Sequence, residues 1–211
     1  MRAVPTRADR ASAEWMAVRE NALGCRACEL WRLGTQTVFG EGPLDAPLMF
    51  VGEQPGDKED VAGKPFVGPA GRILDCGLAD AGIERDKIYV TNAVKHFKFV
   101  RRGKIRLHQK PDVAEIKACN PWLARERAIV HPILIVAMGA TAARAVFGKP
   151  MAIGKCRRRV FDLADAKAII TVHPSYLLRV HDEDRAREYA LFVDDLRLAA
   201  PFVRRARRAP A

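Results

Sequence analysis

The feature that most limits how this chain can fold is a set of short apolar runs, each ending in a polar cluster. Residues 47–51, 87–94, 132–138 and 167–172 read as strands, and 159–163 as a further one; the clearest is Ile133-Leu134-Ile135-Val136-Ala137. Helical periods stand between and around them. Apolar Trp15, Val18 and Leu23 mark one over 11–23, with Ser12 as its N-cap and Gly24 as its stop. Others cover 69–81, 112–127 (after Pro111), 139–147 (opened by Gly139 and Thr141) and an amphipathic 182–199. A strand covered on both faces is apolar throughout rather than alternating. Strands alternating with helices build a mostly parallel sheet between helical layers. The expected fold is therefore α/β, a three-layer α/β/α sandwich around a mostly parallel central sheet. Ligands of such sheets bind at the carboxyl ends of the strands. Polar clusters fall there at 52–56, 92–96 and 173–175. With no internal repeat and no dividing linker, residues 1–211 are expected to form one domain, its core over about 20–200 and a basic tail at 201–211.

Composition sets the class of partner. Lys and Arg number 36 against 25 Asp and Glu, a formal charge of +11, which suits a polyanion. The 49% of hydrophobic residues excludes a disordered chain. The longest nearly apolar run, 133–143, is well short of the ~20 residues of a bilayer span, so no membrane partner is expected. Residues 1–10 carry three arginines and no apolar stretch, so the expectation is no signal peptide and a cytoplasmic location.

Charge distribution says more than its sum. Lys95, Lys98, Arg101, Arg102, Lys104, Arg106 and Lys110 follow one another with no acid between them. Phe97, Phe99, Ile105 and Leu107 interleave them, and cations with apolar wedges suit phosphate contact and base stacking. Arg204, Arg205, Arg207 and Arg208 read as a solvated tail.

Five cysteines, an odd number, argue against a disulfide framework. Cys25-Arg-Ala-Cys28 follows a helix rather than a strand, which favours metal binding over redox exchange, but two cysteines are half a site. Cys76 and Cys156 read as ordinary thiols.

Four ordered motifs then carry a resemblance. Gly52-Glu53-Gln54-Pro55-Gly56, Pro65-Phe66-Val67-Gly68-Pro69-Ala70-Gly71, Thr91-Asn92 and His173-Pro174-Ser175 resemble the uracil-DNA glycosylase superfamily, in its iron–sulfur, type-4-like branch. The resemblance covers about residues 20–200. Within that branch the chain is most similar to the X-type (UdgX) group, through the insert after Val94-Lys95 that ends in Lys104-Ile105-Arg106-Leu107-His108. That group usually has Lys-Arg-Arg-Ile-His here, and its histidine bonds covalently to the DNA sugar. This chain has Ile105 and Leu107 where Arg and Ile are usual, and keeps the histidine.

The resemblance implies a monomeric hydrolase that excises uracil from DNA, preferably single-stranded, on the nucleoid of a bacterial-type cell. The base is flipped into a pocket. Gly52, Phe66, Asn92 and Ser175 would bind it, Phe66 by stacking and Asn92 by reading the pairing edge. His173 would donate to the charge growing on a uracil carbonyl. Ser175, Tyr176 and Leu177 would pinch the backbone and wedge the helix. Gln54 stands where water-using relatives can carry a carboxylate, and an amide has no useful basicity. Glu53 or Asp60 would steady a cationic sugar or hold a partner histidine. His108, neutral, would be the nucleophile, its other ring N–H accepted by Glu53. Arg106 would position the loop or a phosphate. The expected outcome is free uracil plus a protein–DNA conjugate in a single turnover. Type-4 relatives hold a [4Fe–4S] cluster with four cysteines, one directly after this Val-Lys. Here that place is His96, so Cys25, Cys28, His96 and Cys119 form the expected set; spacing alone suits zinc equally. Two alternatives stand beside this: a turnover type-4 glycosylase, and a non-catalytic iron–sulfur or zinc DNA-binding module.

Overall fold

Five strands, β1 (Leu48–Gly52), β2 (Ile88–Asn92), β5 (Leu134–Met138), β6 (Val160–Asp162) and β7 (Lys167–Thr171), form the central sheet of the computed structural model, which describes residues 6–206. Their order is β2-β1-β5-β7-β6. All neighbours pair in parallel except β6, which runs antiparallel to β7 at one edge. Every residue of β1, β2 and β5 is buried, and apart from Thr91 and Asn92 at the end of β2 these strands are largely apolar, as strands covered on both faces are.

Successive residues of β1 serve opposite layers. Met49 and Val51 pack with Ile116 and Leu123 of α4 (Val113–Val130) and Ala142 and Val146 of α5 (Gly139–Phe147). Leu48 and Phe50 pack with Leu74 and Leu78 of α3 (Pro69–Asp80) and Phe192 and Leu196 of α8 (Asp182–Arg197). Helix α1 (Arg7–Leu23) closes over α4 through Val18, Ala22 and Ile129. Short helices α2 (Asp57–Ala62), α6 (Ile153–Cys156), α7 (Pro174–Leu177) and α9 (Ala200–Ala206) complete the chain. This is the α/β sandwich expected. Among the described residues no helix is long and apolar enough to cross a membrane.

Several boundaries differ from the sequence reading. Helix α1 begins at Arg7, capped by Thr6 rather than Ser12. Thr6 Oγ1 accepts the Asp9 N–H while the Asp9 carboxylate accepts the Thr6 N–H, a reciprocal pair that fixes an earlier start. Helix α4 passes through Pro121 to Val130 and stops at His131, whose φ is +50°. The closing helix ends at Arg197, ahead of α9. Arg207 and Arg208 lie outside the described residues, as do the side chains of Arg204 and Arg205.

The larger difference is the basic insert. It forms a two-stranded antiparallel hairpin, β3 (Phe99–Arg102) and β4 (Ile105–His108), turning at Gly103 with φ +59°. Phe97 and Phe99 are buried beneath it and are not free wedges. Ile105 and Leu107 remain exposed on it.

Candidate active site

A cavity of about 790 Å³ opens at the carboxyl ends of β1, β2, β5 and β7. The ends of β2 and β5 supply Asn92 and Met138 to its wall and the start of α5 supplies Gly139; the loops after β1 and β7 supply Glu53, Gln54 and His173, α7 supplies Ser175, and the hairpin supplies His108.

The groups on the sheet are held without freedom. Asn92 is buried as the last residue of β2. Its Oδ1 and the Phe66 ring crowd Gly52: a Cβ on Gly52 would come 2.6 Å from Phe66 Cζ. Only glycine lets strand end, amide and ring approach so closely. The Ser175 N–H donates to His173 Nδ1 at 3.2 Å, and Ser175 Oγ lies 2.9 Å from the same atom. Nδ1 therefore keeps its lone pair, and the ring proton sits on Nε2. Burial, reinforced by the positive fields of His108 and Arg179, pushes the His173 pKa down to about 4. At neutral pH His173 is an uncharged donor, the form that can hold charge growing on a carbonyl oxygen.

Phe66 stacks on His173 with ring centroids 6.1 Å apart. Its φ is +57°, a left-handed conformation strained for a phenylalanine. Two devices hold it. A Cβ on Gly71 would collide with the Phe66 carbonyl, so α3 starts flush against this residue. Glu59, a buried carboxylate, accepts the Gly56 N–H at 3.1 Å and the Gly68 N–H at 2.7 Å, tying the β1 loop to the Phe66 loop. Glu59 was not foreseen, although its place three residues after Gly56 has capping-box spacing.

His108 reaches the cavity differently. It ends β4, opposite Phe99, and its side chain is 49% exposed. Its Nε2 lies 3.4 Å from Glu53 Oε1. Burial lowers its pKa, with Glu53 opposing and Arg179 assisting, so the ring is predominantly neutral at pH 7. The other oxygen of Glu53, Oε2, accepts a hydrogen bond from Thr141 in the first turn of α5. Thr141 was foreseen as a helix opener and not as a partner of Glu53.

The hairpin is fixed by polar contacts. Arg106 donates through Nε to Asp57 Oδ1 at 2.6 Å and through Nη1 to Asp60 Oδ2 at 2.5 Å. Its guanidinium also lies over Phe97 and Phe99. Gln54 Nε2 donates to the carbonyls of Lys98 and Gln109, and its Oε1 accepts the Lys98 N–H. One amide thus stitches both legs of the hairpin to the β1 loop.

This settles placements that sequence left open. Asp60 is fully buried, accepts from the Thr35 N–H and hydroxyl as well as Arg106, and is not part of the cavity wall. The charged side chain that it bonds is the arginine that holds the His108 hairpin, and its negative field also reaches His96, where it opposes the burial that lowers that ring's pKa. Arg106 also stands off the wall and is committed to carboxylates rather than free for a phosphate. Leu177 is buried and cannot wedge, whereas Tyr176 and Leu178 are 40% and 45% exposed.

The four expected metal ligands are not gathered. Cys25, Cys28 and Cys119 feel one another's charge, and burial pushes the Cys119 thiol up to about 12. Trp122 Nε1 donates to Cys25 Sγ and the Lys95 N–H to Cys119 Sγ, both at 3.2 Å. His96 Nε2 instead lies 3.0 Å from Thr37 Oγ1. Among the described residues no three His, Cys, Asp or Glu side chains are grouped closely enough to hold a metal ion. The three thiols have the chemistry of soft-metal ligands, but as placed neither they nor His96 form a closed set.

Comparison with known proteins matches residues 39–197 to the family described as Uracil DNA glycosylase superfamily. The chain is 38% identical to the Type-4 uracil-DNA glycosylase of Thermotoga maritima over 190 residues, 89% of this chain and 94% of that one. It is 35% identical to the Type-4 uracil-DNA glycosylase of Sulfurisphaera tokodaii over 164 residues, covering 75% and 71%. With the Type-5 uracil-DNA glycosylase of Pyrobaculum aerophilum it shares 28% identity over 180 residues, covering 77% and 76%.

Proposed function

We propose, from the premise that this chain belongs to the uracil-DNA glycosylase superfamily on its type-4-like branch, that it excises uracil from DNA. One observation carries the reading: a single cavity holds an aromatic face, a buried amide and a neutral histidine with its proton on Nε2. A flipped uracil lies against Phe66 and offers its pairing edge to Asn92, which has one donor and one acceptor to give. As the C1′–N1 bond breaks, its electron pair leaves with the base. His173 Nε2–H stabilises the negative charge on the carbonyl oxygen. Glu53 faces the cationic sugar, and water adds at C1′ with loss of a proton. Gln54, its amide engaged by the hairpin, takes no proton; Glu53 is the carboxylate able to accept one. The named relatives support this turnover reading. The test is release of uracil from a uracil-containing oligonucleotide, followed by alkaline cleavage at the abasic site. Binding without release sinks it.

A second reading rests on the 3.4 Å approach of His108 to Glu53. One ring nitrogen bonds C1′, the C1′–N1 pair leaves with uracil, and the proton of the other ring nitrogen is held by Glu53. The product is a conjugate that survives denaturing electrophoresis; its absence leaves the turnover enzyme. The exposed cations Arg101, Arg102 and Lys104 of the hairpin offer phosphate contacts, and the single-stranded preference that the resemblance implies is checked by comparing rates on single- and double-stranded oligonucleotides. Cys25, Cys28 and Cys119 supply three soft donors for the iron–sulfur cluster that the resemblance implies. Iron and sulfide assays on purified protein, with zinc measured alongside, test that assignment.

A further inference from the structure

Beneath the base-reading end of β2 lies a charge pair that excision, as described, does not use. Lys95 and Glu126 are 1% and 0% exposed, with Nζ and Oε2 2.5 Å apart. Burying two charges costs free energy that a well-packed apolar pair of similar volume avoids, so such a pair is poorly explained by stability alone. Its wiring suggests another use. The ammonium has three protons and three acceptors: Glu126 Oε2, Thr91 Oγ1 at 2.6 Å, and the main-chain carbonyl of Asn92 at 2.8 Å. Glu126 Oε1 in turn accepts from the Gly40 N–H, the Tyr89 hydroxyl and the Thr91 hydroxyl. No donor of the ammonium is left over, so Lys95 cannot shift without giving up one of these bonds.

The position matters as much as the count. Asn92 is the last residue of β2, so its carbonyl is near the point where the chain leaves the sheet. Beyond it the Ala93 and Val94 N–H groups still donate to the carbonyls of Gly52 and Glu53, at 2.9 and 3.0 Å, so the N–H side of these peptides is tied to the β1 loop. The Lys95–Glu126 pair, anchored on α4, holds the carbonyl side of the peptide that follows Asn92. Because the Asn92 side chain already crowds Gly52 and Phe66, a small rotation of that peptide moves the amide against them.

We infer that Lys95, set by Glu126, is a positioning residue for Asn92, fixing the amide in register with the flipped base. The inference rests on the proposed role of Asn92 in excision. The pair touches no substrate and acts only through the carbonyl of Asn92.

The experiment is a double-mutant cycle read by single-turnover uracil release at saturating protein. Lys95→Met together with Glu126→Gln removes both charges at nearly constant volume, and the glutamine oxygen still accepts from Gly40, Tyr89 and Thr91. The expected loss of rate is about 10- to 100-fold, the scale of a misplaced reacting group. Oligonucleotide affinity is expected to stay within about threefold, since the phosphate contacts that dominate it are untouched. Against an Asn92→Ala background the same two changes are expected to cost less than about twofold, because the group they position is gone. Tyr89→Phe, which removes a partner of Glu126 and leaves the bond to Asn92, is expected to excise at the wild-type rate. If the Lys95→Met/Glu126→Gln protein does not fold, Thr91→Val removes one anchor of the ammonium; a loss of about threefold, again abolished by Asn92→Ala, is then expected. Losses that add to that of Asn92→Ala, or a wild-type rate in a folded double variant, overturn the inference. An Asn92→Ala protein as fast as wild type overturns the role of Asn92 itself, and the inference with it.

Discussion

Two regions bring side chains to the same cavity by opposite means. Asn92 and His173 stand at or just beyond the ends of buried parallel strands, and apolar layers on both sides fix them. His108 stands at the foot of a hairpin whose inner support is Phe97 and Phe99 and whose outer side is open. Its position is set by Arg106 on Asp57 and Asp60, and by Gln54 across both legs. The first arrangement is rigid because the core is close-packed. The second depends on a few polar contacts, which a substitution can remove one at a time. Chemistry housed on the sheet should therefore tolerate loss of the hairpin's contacts, while chemistry housed on the hairpin should not.

The largest expected effect tests the sheet side. His173→Ala removes the donor that faces the leaving base, and excision is expected to fall about 10²- to 10³-fold, the usual consequence of deleting one such donor. His173→Asn, which keeps an N–H on a shorter side chain, is expected to recover part of the rate. Single-turnover uracil release measures both. If His173→Ala excises at the wild-type rate, the sheet-borne donor is not what stabilises the leaving group.

On the hairpin side, His108→Ser separates the two readings of function. Conjugate is expected to disappear while uracil release stays within about tenfold of wild type, since the sheet-borne groups do not depend on His108. Denaturing electrophoresis and intact-protein mass show the first outcome and a uracil assay the second. Loss of both together would place His108 among the groups that excision itself requires, and the contrast between the regions would fail.

Arg106→Met loosens the hairpin and frees Asp57 of the cavity wall from its ion pair, while the sheet-borne groups keep their contacts. It leaves the Asp60 carboxylate buried with only its Thr35 partners, so the melting temperature is expected to drop by a few degrees. Any signal that depends on His108 is expected to fall about tenfold, and uracil release by less than about threefold. Equal losses in the two would mean that the hairpin supports the whole cavity rather than its own histidine.

The same contrast explains what was legible in the sequence. The sheet side announced itself: 132–138 could be little but a buried strand, and the polar clusters at 52–56, 92–96 and 173–175 fall at strand ends because the fold requires it. The pairing of Glu53 with His108 was also anticipated, from the need of a ring N–H for an acceptor. The hairpin side was read less well. Alternating cations and apolar residues from Lys95 to Lys110 do not reveal which apolar groups turn inward, so Phe97 and Phe99 were taken for wedges. Buried carboxylates were the other blind spot. Glu59 and Glu126 look like surface charges in a helix, and Asp60, singled out for the sugar or a histidine, bonds Arg106 instead; only tertiary partners disclose their use. The cysteines show the limit of spacing: Cys25, Cys28 and Cys119 feel one another's charge, yet nothing in the sequence says that His96 lies against Thr37.

Acidity gives the smallest and most selective comparison. Both histidines have pKa values below the ordinary one of about 6.5, His173 at about 4 and His108 lowered by partial burial. Acid would cost each its function by a different route. Protonated His173 gains a second donor that repels the Ser175 N–H, and it brings a like charge toward His108 and Arg179. Protonated His108 loses the lone pair that a nucleophile needs. Between pH 8 and 7 neither titrates appreciably, so the ratio of conjugate to free uracil is expected to change by less than about twofold. Below the His108 pKa the conjugate is expected to fall about tenfold per pH unit, while uracil release holds until pH nears 4. A rate profile measured for both products between pH 3 and 8 resolves the two limbs. Parallel curves would mean that a single group governs both steps, and that the hairpin histidine contributes no chemistry of its own.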